Sequence, residues 1–172
     1  MPEPDHMHWE GRWGDLEAIR QLKARYCRFV DTKQWTRLAA LFVPGTVFEG
    51  FGSAPTGADE RQFIAGISAR LAEVVSIHHC HTPEIAFTGE RSARGIWQMM
   101  DYLQFPDGQR PREAPDSPGF VGWGYYEEDY RLCDDGRWRF CFMRLTRQRI
   151  DPLAADHPPV RAGFIAPTPD WL

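Results

Sequence analysis

The hydrophobic pattern of this chain changes period once, near residue 75, and no other feature narrows the possible folds as far. Before that point apolar residues recur at helical spacing. After it they alternate with polar ones for most of the remaining length. "DLEAIRQLKARYCRFVDTKQW" predicts a first helix, with Asp15 as N-cap, Glu17 in the first turn, and an apolar face of Leu16, Ile19, Leu22, Tyr26, Phe29 and Val30. "QWTRLAALF" reads as a second, short helix that stops before Pro44-Gly45 and leads into the strand-like "TVFEGFG". "GADERQFIAGISARLAEVV" is a third helix, apolar at Phe63, Ile64, Ile67, Leu71, Val74 and Val75.

Beyond it, "SIHHCHTPEIAF", "SARGIWQMMDYLQF", "GFVGWGYYEEDYRLC" and "RWRFCFMRLTRQRI" read as four long strands. "TGER" joins the first pair and "DDG" the last, both suited to hairpins. Between the pairs, "PDGQRPREAPDSPG" is too rich in Pro, Gly and charge for anything but a long loop, of the kind that often forms a lid. The tail from Asp151 carries five prolines and is expected to run extended. Helices followed by a strongly curved antiparallel meander make an α+β arrangement, and 172 residues make one domain with a real core. Seven tryptophans and eleven phenylalanines suit a large apolar interior or pocket.

The formal charge of −4, with no basic stripe, offers nothing to nucleic acid or to anionic membranes. No apolar run approaches the ~18 residues of a membrane span. The start "MPEPDHMHWEGRW" does not read as a secretory signal. Cys27, Cys80, Cys133 and Cys141 lack CxxC spacing and are expected as free thiols, which points to a cytoplasmic protein.

Chemistry-bearing residues concentrate in "SIHHCHTPEI". Strand alternation places His78 and Cys80 on one face and His79 and His81 on the other. A metal reading would pair His79 with His81 and complete the site with Asp101 or Glu84, but no HxxxH, HExxH or CxxC partner exists. An acid–base reading needs a histidine beside a carboxylate in an apolar setting. Asp101, in "IWQMMDYLQF", is one such carboxylate, and counting from the turn makes it a near neighbour of His78 rather than its direct opposite.

Tyr26 and Asp31 are candidates on the first helix. Asp31 stands at the C-terminal end, where the macrodipole disfavours a carboxylate by about 0.3–1 kcal/mol. On an ideal wheel the two lie about 140° apart, so both face one cavity only if Asp31 falls in an unwound last turn. Trp97 and Met99 share Asp101's face and form either an apolar pocket wall or plain core. Tyr125 and Tyr126 alternate, and we group Tyr126 with Trp97 and Met99 as substrate-binding. Neither a phosphate-cradling Gly-rich loop nor a GxSxG elbow is present.

Together, "IRQLKARYCRFVDTKQWTRLAALFVPGTVFEG", "SIHHCHTPEIAFTGERSARGIWQMMDYLQF" and "GWGYYEEDYRLCDDGRWRFCFMRLTRQRID" resemble the SnoaL-like branch of the NTF2-like superfamily, which includes scytalone dehydratase and bile acid 7α-dehydratase. The resemblance covers about residues 13–151, leaving an extension at 1–12 and a Pro-rich tail at 152–172. It implies a cone-shaped α+β barrel with a deep apolar pocket, and catalytic roles for Tyr26, Asp31, His78 and Asp101, with Asp31 facing the cavity. It further implies catalysis with no metal or organic cofactor, a dimer or trimer, and a small hydrophobic substrate. The expected activity is that of a lyase removing water from a ring-containing hydroxy-carbonyl compound. A ketosteroid-type isomerase, a polyketide cyclase and a non-catalytic small-molecule-binding protein remain alternatives, because the fold hosts all of them.

Overall fold

The computed structural model describes residues 11–160 together with 167, 168 and 171, so residues 1–10 of the extension and part of the tail lie outside the described residues. The elements run α1 (Trp13–Asp31), α2 (Trp35–Ala39), β1 (Phe42–Glu49), α3 (Glu60–Leu71), β2 (Val75–Gly89), β3 (Ser92–Gln104), β4 (Gly119–Leu132) and β5 (Trp138–Pro152). One sheet of five strands has the order β1-β5-β4-β3-β2, antiparallel except where β1 runs parallel to β5. This is the expected α+β class. The sheet bends around α1, which packs against β2 and β5, and around α3.

α1 buries the predicted apolar face, and with it Lys23 and Cys27. It begins at Trp13, two residues before the expected cap, and Asp15 is a first-turn residue rather than the N-cap. Its carboxylate accepts from Arg12 Nε at 2.9 Å and from Trp138 Nε1 at 2.8 Å, tying the helix start to β5. The helix ends in a Schellman arrangement: Gln34 N–H donates to Phe29 O at 2.8 Å and Lys33 N–H to Val30 O at 3.2 Å. Lys33 takes the left-handed position (φ 60°) that glycine usually fills. α3 starts with the Asp59/Gln62 capping box, at 2.9 and 3.1 Å.

Bulges curve the long strands. In the β2–β3 pair they fall between Cys80 and Pro83 and between Phe87 and Gly89, each adding one residue to β2. They cancel the offset expected from the turn, so His78 and Asp101 stand directly opposite each other. β1 starts at Phe42 and crosses Pro44-Gly45, which was expected to precede it. A proline is tolerated there because β1 is an edge strand and its register with β5 shifts between Phe42 and Val47.

The core is aromatic. Phe48 and Phe63 stack at 3.9 Å with Phe42 and Phe51 edge-on to them, Tyr26 and Phe140 pack on Phe42, and Tyr126 stacks on Phe51. Deleting one such fully buried ring costs about 3–5 kcal/mol. The 105–118 segment is closed at its ends by Phe105 N–H to Pro118 O (2.9 Å) and is folded into turns, with Ala114 and Ser117 buried. Past β5 the chain returns to the sheet through Tyr102 Oη–His157 Nε2 (2.9 Å) and Gln104 Nε2 to Pro158 O (2.8 Å).

Candidate functional site

The end of α1 delivers Asp31 to β2. One carboxylate oxygen accepts the backbone N–H of His78 at 2.8 Å, and the other lies 2.6 Å from His78 Nδ1. Two-point attachment fixes both the strand position and the ring. With Nδ1 donating to the carboxylate, Nε2 is the nitrogen left unprotonated and able to act as a base. The His78 side chain is only 8% exposed. α1 stays helical through Asp31, so the carboxylate stands behind His78 and is absent from the cavity lining. That differs from the expected cavity-facing Asp31. The wheel separation is thereby accommodated, since Tyr26 faces the cavity and Asp31 reaches it only through the imidazole.

Asp101, although opposite His78, is committed elsewhere. Its two oxygens take Arg147 Nη1 at 2.6 Å and Nη2 at 2.5 Å, a bidentate pair with Asp101 buried. Burial by itself would make Arg147 easier to deprotonate. The hydrogen bonds and charge of Asp101 outweigh that and hold the guanidinium more firmly protonated than usual. Gly122 makes room for the pair: a Cβ there would clash with Arg147 Nη1 and stand 2.5 Å from Asp101 Oδ1.

Arg147 was not anticipated from the sequence. The signal was nonetheless there, since Met143, Leu145 and Arg147 alternate on the inward face of β5.

These residues line one cavity of about 50 Å³ with Tyr26, Tyr126, Phe51, Ile67, Leu103, Phe120 and Leu145. That volume holds a few waters. The resemblance implied a deep apolar pocket. The observed one is small and mixed, because Asp101–Arg147 and a second ion pair, Arg70–Glu113, stand in its wall.

Tyr26 and Tyr126 meet edge to face at 5.9 Å. Burial, chiefly, raises both phenols well above their ordinary range, so both are neutral donors at physiological pH. Trp97 and Met99 do not reach the cavity. Trp97 Nε1 donates to Tyr130 Oη at 2.7 Å, and Met99 is fully buried, with its sulfur 3.8 Å from Arg147 Nη1. His79 and His81 are exposed on the outer face of the sheet.

Beneath the tyrosines lies a buried polar chain that sequence patterning missed. Lys23 pairs with Glu128, both almost solvent-free, and Tyr130 Oη donates to the second Glu128 oxygen at 2.5 Å. The Lys23 ammonium sits 3.3 Å from the centroid of the Tyr126 ring and 4.5 Å from that of Tyr26. Burial opposes the charge on Lys23, but Glu128 outweighs it and raises the lysine's pKa. Cys27 Sγ and Cys80 Sγ touch at 3.5 Å beside this chain.

The chain belongs to the SnoaL-like domain family, whose model matches residues 12–144. A relative named "Probable cyclase FGR4" from Gibberella zeae is 23% identical over 139 residues, spanning 75% of this chain and 88% of that protein. Among solved structures, a candidate scytalone dehydratase from Novosphingobium aromaticivorans superposes with a TM-score of 0.68 at 21% identity, covering 87% of this chain and 96% of the other. The hexachlorocyclohexane dehydrochlorinase LinA-type3 from Novosphingobium barchaimii gives 0.67 at 20% identity, covering 86% and 97%. At these identities the structures establish a shared fold. The names borne by these relatives are those of eliminating and ring-forming enzymes. Among the described residues no helix is long and apolar enough to cross a membrane.

Proposed function

We propose that the protein is a cofactor-independent lyase that removes water from a ring-bearing hydroxy-carbonyl compound. The observation that carries this reading is the two-point clamp of Asp31 on His78, which leaves Nε2 as a base at the cavity wall. His78 Nε2 takes the proton from the carbon beside the carbonyl, and Asp31 stabilises the imidazolium that results. Positioned proton transfer of this kind contributes about 10²–10⁴-fold. Tyr26, or Tyr126 beside it, donates to the carbonyl oxygen as it gains enolate charge, and the fixed Arg147 guanidinium adds positive potential. The imidazolium then returns its proton to the departing hydroxyl. One C–H and one C–O bond break, a C=C bond forms, and water leaves.

The cyclase name of the Gibberella relative favours a second reading, ring closure through the same enolate. Self-association through the outer sheet face, where Ile77 and Ile96 are exposed, accompanies either reading as a proposal. The test is incubation of the protein with a panel of hydroxy-ketone steroids and polyketides, followed by mass spectrometry. Loss of one water from a panel member with wild type, and not with His78→Ala, supports the lyase. Ligand binding that survives His78→Ala, with no conversion by wild type, supports a carrier instead.

A further inference from the structure

On the α3 side of the same cavity, Arg70 is aimed by groups other than its ion-pair partner. Its Nη1 donates to Gly52 O at 2.8 Å, and its guanidinium lies 5.8 Å from the Phe105 ring centroid. Only Nη2 is spent on Glu113, at 2.6 Å. Glu113 arrives from the proline-rich 105–118 segment and is buried to a similar degree as Arg70, their side chains being 20% and 19% exposed. Both line the cavity with His78, Asp101 and Arg147.

Gly52 makes the meeting point possible. A Cβ there would stand 2.5 Å from Glu113 Oε1 and 2.8 Å from Arg70 Nη1. Glu113 also has somewhere to go, since its Oε1 is already 3.5 Å from Nε of the exposed Arg112. Burial alone would raise the Glu113 pKa, but the hydrogen bond and charge of Arg70 outweigh it, so the carboxylate is ionised at neutral pH.

We propose that Arg70 is a subsite for a carboxylate carried by an otherwise apolar substrate, and that Glu113 holds the place of that carboxylate while the cavity is closed. A ring compound does not fit in about 50 Å³, so the wall must give before one enters. Glu113, carried by the 105–118 segment and within reach of Arg112, is the group assigned to withdraw. A neutral compound that displaces it leaves a half-buried guanidinium without counter-charge, which is unfavourable. A carboxylate restores the pair, with Gly52 O and Phe105 having kept the guanidinium in position. The cavity therefore selects anionic compounds at its α3 side while His78 addresses the opposite strand pair. This rests on the lyase reading for its meaning, though its test does not need turnover.

The experiment is calorimetric titration with 2-naphthoate and its neutral isostere 2-naphthamide. Wild type is expected to bind the carboxylate about tenfold more tightly than the amide. Glu113→Gln, which removes the charge that either ligand must displace and keeps the shape, is expected to tighten both by about tenfold and to keep the preference for naphthoate. Arg70→Met is expected to abolish the preference. Gly52→Ala, whose Cβ would crowd Arg70 Nη1 as well as the carboxylate position, is expected to reduce the preference for naphthoate. Failure of Glu113→Gln to bind naphthoate, or a preference that survives in Arg70→Met, overturns the proposal. Turnover of neutral ketones without naphthoate preference removes the subsite and keeps the lyase. Carboxylate preference without any turnover does the reverse.

Discussion

Replacing Lys23 by Met is the most informative perturbation of the folded state. Lys23 and Glu128 have side chains 1% and 0% exposed, so the substitution strands a carboxylate where water does not reach. Tyr130 Oη remains its partner, on one oxygen only. Breaking a buried pair from one side costs about 3–5 kcal/mol. A domain of this size has roughly 5–15 kcal/mol in all, so the variant loses a large share of its stability. At about 2–4 °C per kcal/mol, the melting temperature falls by roughly 6–20 °C.

The double variant Lys23→Met/Glu128→Gln removes both charges and keeps an amide within reach of Tyr130. Exchange of a whole buried pair for apolar groups of similar volume is often nearly free. The amide placed at position 128 keeps only Tyr130 as a partner, however, so the double variant is expected to recover part of the loss. Urea denaturation of wild type, both single variants and the double variant, combined as a cycle, yields the coupling. A loss below about 1 kcal/mol for Lys23→Met, or a double variant no more stable than the single, would refute the desolvated pair.

Gly122→Ala forces Asp101 and Arg147 apart and is expected to cost about 1–3 kcal/mol, read as a lower urea midpoint; an unchanged midpoint contradicts the tight fit. Cys27, buried and with its thiol held protonated by the hydrogen bond to Cys80 and by burial, should alkylate with iodoacetamide well after Cys133, as followed by peptide mapping. Lys33 has its pKa lowered to about 8 by burial, against the opposing pull of Asp31. Between that value and the ordinary lysine value near 10.4 the unfolded chain holds the extra proton, so Lys33's contribution to stability rises with pH. Wild type should therefore gain on Lys33→Met in melting temperature between pH 8 and 10, whereas a constant difference would contradict the half-buried ammonium.

Much of this architecture is written in hydrophobic period, because strands that cover helices must alternate and helices inside a sheet must carry a stripe. Alternation also separated His78 from His79 and His81, and their exposures follow that division. Register was not legible. Pro83 and Gly89 stand at the bulges between Cys80 and Pro83 and between Phe87 and Gly89, but such residues mark a bulge without saying how many residues it inserts. The bulges turn a near neighbour into a direct opposite.

Inward charges were the other blind spot. Lys23, Glu128 and Arg147 sit at inward positions of their periods, but a charged residue reads as solvent-facing until its partner is known. Those partners lie far apart in sequence: Glu128 for Lys23, Asp101 for Arg147. Trp97 and Met99 show the converse, since sharing a face with Asp101 placed them beneath the cavity rather than in its wall.

The central claim is that Asp31 makes His78 a base. Once a panel compound that loses water is in hand, the direct measurement is the turnover of Asp31→Asn on it. The amide keeps the shape and can offer its N–H where the carboxylate accepted, which reverses the preferred imidazole tautomer. The kcat is expected to fall on the order of 10²–10⁴-fold with KM little changed. A kcat within a few-fold of wild type would contradict the claim.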